Sequence, residues 1–171
     1  DAAENHFEQA LRIEPKNAEY HSGYAYLLDQ LGRKDQATGE LETAIRLAPK
    51  SPQARYGYGA FLERQGQPEE ASAKYRETLQ LDPAHVDAHL DLGGLLLEKD
   101  ELTEAREHFA KASELNPKLA QPHNYLGKIL MREGNTSQAI AQFEQALRLH
   151  PDFPEAEENL RVAKGASAQS P

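Results

Sequence analysis

The chain is predicted to be an all-α array of stacked helix–turn–helix units, and three observations predict it. Prolines recur at Pro15, Pro49, Pro83, Pro117 and Pro151, each 34 residues after the last. Ala3, Ala37, Ala71, Ala105 and Ala139 keep the same step, as do Phe7, Leu41, Tyr75, Phe109 and Phe143. Within each period the apolar residues form two successive runs of helical spacing. A fixed period of roughly 20–50 residues marks a stacked array, in which each unit buries its apolar face against its neighbours rather than in one central core.

With each proline near the end of its unit, four full units span residues 18–51, 52–85, 86–119 and 120–153. Residues 1–17 make the second helix of a partial N-terminal unit, and residues 154–164 a C-terminal capping helix. In the third full unit, Leu92, Leu95 and Leu96 mark the first helix, and Ala105, Phe109, Ala112 and Leu115 the second. Between the two helices stand Gly32, Gly66 and Gly134, where a left-handed residue can end a helix; the third unit carries Asp100-Glu101 there. Pro68 suits the first turn of a second helix, and the periodic prolines stop each second helix. The capping helix turns Ala156, Leu160 and Ala163 inward and Glu155, Glu158 and Arg161 outward. The tail, residues 165–171, has no apolar periodicity and is expected to be disordered.

Composition narrows the function. The 19 basic and 28 acidic residues leave a net charge of −9, which repels nucleic acid and anionic membrane surfaces. The charge is uneven: residues 86–119 carry a balance of −4 and residues 120–153 are neutral. The absence of cysteine removes disulfides, thiol catalysis and thiolate metal sites. Such a chain suits the cytoplasm and also the periplasm, so the compartment stays open. No apolar run is long enough to insert in a membrane.

A 34-residue helix–turn–helix unit ending in proline resembles the tetratricopeptide repeat. Further columns carry the resemblance. The first helices hold a large residue followed by a small one: Tyr24-Ala25, Tyr58-Gly59, Leu92-Gly93 and Leu126-Gly127. Leu28, Leu62, Leu96 and Leu130 follow near the helix ends. The second helix supplies Ala, a large residue and a small one, as in Ala139, Phe143 and Ala146. The small residue of the first helix is expected to meet the Ala that opens the second, as Gly127 would meet Ala139. His21, Arg55, His89 and His123 depart from the Trp the family often carries. The resemblance implies a right-handed superhelical solenoid whose first helices line a concave face.

Mapped onto this chain, that face contains Tyr26, Tyr56, Arg64, Leu90, Leu97, Asn124, Lys128, Met131 and Arg132. Tyr26, Tyr56, Leu90, Leu97 and Met131 form an apolar or amphipathic stripe outside the packing columns, and gathered apolar groups point to a binding groove. Arg64, Lys128 and Arg132 supply rim charge. The carboxylate-clamp residues of some family members have only Asn124, Lys128 and Arg132 to match them, all from one unit. The asparagine ladder of a glycosyltransferase relative is absent, because Gly23, Gly57, Asp91 and Tyr125 occupy its column.

No nucleophile–base pair, phosphate loop or converging ligand set is legible, so neither cofactor nor metal is expected. His21, His89 and His123 sit on successive first helices, about 10 Å apart, too far to share one ion. The sequence therefore predicts a non-catalytic interaction module, a scaffold or adaptor holding a protein or peptide in its concave groove. The alternative is a substrate-recruiting accessory domain of a larger enzyme such as a glycosyltransferase. The N-terminal helix lacks its own first helix, so the edge of Phe7, Ala10 and Leu11 is expected to be covered by upstream residues or by self-association.

Overall fold

The computed structural model describes residues 2–169, all of its regular structure helical. It forms two compact units, divided between Pro83 and Ala84. The first contains α1 (Ala2–Ile13), α2 (Ala18–Gln30), α3 (Lys34–Leu47), α4 (Pro52–Arg64) and α5 (Pro68–Leu81). The second contains α6 (Val86–Glu98), α7 (Leu102–Leu115), α8 (Gln121–Arg132), α9 (Thr136–Leu149) and α10 (Pro154–Gln169). Helices pair as α2 with α3, α4 with α5, α6 with α7 and α8 with α9, while α1 lies on α2 and α10 on α9.

Local chemistry sets the helix ends. Asn17 Oδ1 accepts from the Glu19 and Tyr20 amides, at 3.1 and 3.2 Å, and so caps α2. Ser51 Oγ caps α4 by accepting from the Ala54 amide at 3.2 Å. His85 Nδ1 does the same for α6 through the Ala88 amide, also at 3.2 Å. Pro52 and Pro68 stand in the first turns of α4 and α5, where no backbone donor is needed.

The turns inside the pairs share one device. Gly32, Gly66 and Gly134 have φ of 75°, 73° and 78°, and Asp100 takes the same place with φ 61°. The next amide then reaches back to the leucine column: Arg33 N to Leu28 O, Gln67 N to Leu62 O, Glu101 N to Leu96 O and Asn135 N to Leu130 O. Each bond satisfies a carbonyl that the ending helix would leave orphaned. A side chain at positive φ is strained, so Asp100 holds a conformation its neighbours leave to glycine.

Inside each pair the aromatic column is the core. Tyr75, Phe109 and Phe143 are fully buried, each burial contributing about 1.5–3 kcal/mol. The glycines of the first helices also meet these rings. A Cβ built on Gly59 would stand 2.8 Å from Tyr75 Cδ1, one on Gly93 3.0 Å from Phe109 Cζ, and one on Gly127 2.8 Å from Phe143 Cζ. Rings packed this close leave no room for a side chain on the glycine. In the first pair Leu41 replaces the ring and Ala25 the glycine, and both are buried.

The ends differ. No residue of α1 is buried, and Ile13 is 80% exposed. Phe7 is half-buried, its ring 5.9 Å from that of Tyr24. Glu4 accepts from Arg33 and from the Tyr24 hydroxyl, which ties α1 down by charge. At the other end Ala156 and Ala163 of α10 are buried, with Leu160 half-buried over Leu130, Ala139 and Phe143. The tail is a correction, since α10 continues to Gln169. Ala166, Ser167 and Ala168 after the single Gly165 keep helix propensity high enough to extend it. Ser170 and Pro171 lie outside the described residues.

Candidate functional site

The surface of interest is the face of the first helices, taken unit by unit. In the first unit Tyr26 of α2 is 60% exposed, the largest aromatic surface the unit offers. The Arg64 guanidinium from α4 lies 5.7 Å from its ring centre. Arg64 Nε donates to Asp29 Oδ2 at 2.9 Å, and Gln65 Nε2 to Asp29 Oδ1 at 2.7 Å. Asp29 thus holds the guanidinium over the ring, in a cation–π arrangement. Tyr56 is half-buried, its ring 5.7 Å from that of Tyr75. Tyr75 donates its hydroxyl to Glu63 Oε2 at 2.5 Å, which pairs the buried phenol with a charged acceptor.

In the second unit Leu90 and Gly94 of α6 are partly open, and a Cβ built on Gly94 would meet nothing within 4 Å. Glycine inside a helix costs about 1 kcal/mol relative to alanine, and no packing on this face demands it. Lys128 of α8 donates to Glu155 Oε1 at 3.0 Å and lies 5.2 Å from the Tyr125 ring centre. The Tyr125 ring stacks on Phe109 at 4.6 Å. Arg132 donates to the Leu97 carbonyl at 2.6 Å and to Asp100 Oδ1 at 3.1 Å. Met131 is half-buried against Leu130, Ala139, Phe143 and Ala163.

Two residues expected on the open face are inside. Leu97 is 3% exposed. Its place at the end of α6 puts it in the core with Leu95 and Leu96, a run of three leucines of which only two were assigned to packing. Asn124 is 0% exposed, its Oδ1 accepting from Asn159 Nδ2 of α10 at 2.9 Å. Its own Nδ2 is buried without a partner. The rim charges Arg64, Lys128 and Arg132 remain partly exposed and all bond within the chain. Arg64 and Arg132 reach back 35 residues to Asp29 and to the Leu97 carbonyl. That spacing is one period plus one, and a scan for opposite charges at it would have found the first pair.

The histidines also have partners. His21 Nδ1 meets Glu40, His89 Nδ1 meets His108 Nδ1 at 2.8 Å, and His123 Nδ1 meets Gln142 Oε1 at 2.8 Å. Each pair is 19 residues apart and joins the two helices of one pair. Arg55 stands in the same column and bonds Glu77 at 3.2 Å. These polar pairs occupy the column where the family often places Trp. Among the described residues no three His, Asp or Glu side chains gather in a form that could hold a metal.

Ion pairs shift the exposed carboxyls. Hydrogen bonds from Arg33, Arg106 and Arg161 hold Glu4, Glu133 and Glu158 below their ordinary value. Burial pushes the Tyr24 and Tyr58 phenols up. The open faces present phenol rings, aliphatic groups and carboxylates.

Comparison with known proteins places this geometry. Tetratricopeptide-repeat models match residues 1–60 and 120–153, and the model of the cilia and flagella-associated protein 70 middle TPR-like domain matches residues 45–121. The chain is a tetratricopeptide-repeat protein. Its fold is that of solved helical-repeat solenoids. YrrB, described as a TPR protein with an unusual peptide-binding site, superposes with a TM-score of 0.74 at 22% identity, over 92% of this chain and 81% of that one. The pilF protein of Pseudomonas aeruginosa gives 0.79 at 23% identity, over 89% and 69%. A MamA fragment from Desulfovibrio magneticus RS-1 gives 0.79 at 19%, over 88% and 85%. A search of curated proteins finds no match. Tetratricopeptide-repeat domains bind protein or peptide partners, and among the described residues of this one no helix is long and apolar enough to cross a membrane.

Proposed function

We propose that this tetratricopeptide-repeat protein is a non-catalytic scaffold that binds a peptide or protein segment on the open faces of its first helices. The observation that carries the reading is Tyr26. Its ring is 60% exposed, yet it is held in place by a guanidinium that Asp29 anchors. An aromatic ring fixed in position and left open loses little entropy when a partner covers it. Leu90 and the bare backbone at Gly94 offer an equivalent surface in the second unit.

The test is a selection of binding peptides from a displayed library, followed by hydrogen exchange on the complex. Slowed exchange confined to the first helices α2, α4, α6 and α8 supports the reading. Protection confined to α3, α5, α7 and α9 contradicts it.

A further inference from the structure

The exposed face of α6 has a composition that selects its ligand. Asp87, Leu90, Asp91, Gly94 and Glu98 share one helical stripe, at spacings of three and four residues. Its opposite face, with His89, Leu92, Gly93 and Leu96, is buried, and Leu97 along the edge beside Leu90 is buried as well. The stripe thus has an apolar middle, Leu90 with the open notch at Gly94, and exposed carboxylates at both ends, Asp87 and Glu98. No ion pair neutralises Asp87 or Glu98 among the described residues. Lys99 stands one residue on, about a quarter turn away around the helix. The cations of the neighbouring helix α8 are already committed, Lys128 to Glu155 and Arg132 to Asp100 and the Leu97 carbonyl. The face is therefore apolar at its centre and negative at its ends, with the nearby positive charge bound elsewhere.

We propose that α6 docks a cationic amphipathic segment, whose apolar residues cover Leu90 and enter the notch at Gly94 while its Lys or Arg side chains meet Asp87 and Glu98. This deepens the function proposed above and rests on it. Charge complementarity supplies the choice of partner. The notch supplies a place for close approach: glycine weakens a helix, and nothing in the fold occupies the space it leaves. An acidic or neutral segment gains the apolar contact alone, and an acidic one meets like charge.

The test uses three fluorescein-labelled peptides of 15 residues or so, with Leu and Ala at helical spacing and with Lys, Gln or Glu at every polar position. Anisotropy titrations of the intact chain are expected to give the Lys peptide an affinity at least about 10-fold above the Gln peptide, with the Glu peptide weakest. Raising the salt should close the gap between the Lys and Gln peptides. Asp87→Asn with Glu98→Gln should reduce the Lys peptide to the affinity of the Gln peptide. Gly94→Leu should weaken both peptides while the circular dichroism spectrum and melting curve are retained.

Attraction to the net charge of −9 alone is a separate outcome. Glu107→Lys with Glu114→Lys, on the exposed surface of α7, should leave Lys-peptide binding intact; a loss as large as that from the α6 pair overturns the proposal. Equal or tighter binding of the Glu peptide also overturns it, as does failure of the Lys peptide to bind. In those cases a library-selected neutral or acidic peptide that protects the first helices would leave the scaffold reading standing and remove only the assignment of its ligand.

Discussion

The ring of Phe143 packs against Gly127, so close that a Cβ on the glycine would come within 2.8 Å of Phe143 Cζ. Both residues are buried, so any shift of the ring must displace packed neighbours. Gly127→Ala should therefore cost about 1–3 kcal/mol, measured by urea unfolding. The α2–α3 pair shows the compensation, with Ala25 and Leu41 in the two places. Gly127→Ala combined with Phe143→Leu should be less damaging than the sum of the single changes, a coupling read directly from the double-mutant cycle.

The left-handed turns make a paired prediction. Gly134 at φ 78° cannot take a side chain without strain, so Gly134→Ala should lose about 1–2 kcal/mol. Asp100 already carries that strain at φ 61°. Asp100→Gly relieves it but loses an exposed ion pair with Arg132, so the net change should stay within about 0.5 kcal/mol. Thermal melts of the two variants compare the costs.

Leu97 and Tyr26 should separate stability from surface. Leu97→Ala empties a buried site and should cost about 2–5 kcal/mol. Tyr26→Ala removes an exposed ring and should change stability by about 0.5 kcal/mol. The same chemical denaturation series measures both.

Much of this architecture was legible in the sequence because the period repeats every packing constraint. Pro49, Leu41 and Ala37 recur with their counterparts in each unit, so errors in one unit are corrected by the others. The left-handed turn was legible for the same reason, including the place of Asp100. What the columns could not show was which atoms touch. Side-chain size paired Gly127 with Ala139 but gave no sign that the Phe143 ring packs against the same glycine. Leu97 fits an exposed stripe and a buried one equally by period, and its position at the end of α6 decides for burial. Asn124 is covered because α10 supplies Asn159, and the pattern of a single helix carries no such information. The partners of these cations lie 27 to 35 residues away, outside any local window.

Acid should destabilise the fold through its paired carboxyls. Glu4, Glu133 and Glu158 are held below the ordinary value of 4.5 by arginine hydrogen bonds. A depressed carboxyl contributes stability above its unfolded value and loses it as pH falls through its folded value. The melting temperature should therefore be nearly flat from about pH 8 to 5 and decline below that. Arg106→Gln should soften the decline by removing the partner of Glu133. A melting temperature that rises on acidification would contradict the assignment.

Calorimetric titration of a library-selected peptide tests the central claim most directly. Three proteins are compared: the unmodified chain, Tyr26→Ala with Leu90→Ala on the first helices, and Glu107→Lys with Glu114→Lys on a second helix. Binding near micromolar strength, about −8 kcal/mol, is expected for the first and third. The Tyr26 and Leu90 variant should bind at least about 10-fold more weakly while melting as the parent does. Unchanged binding in that variant, with loss in the second-helix variant, would contradict the account.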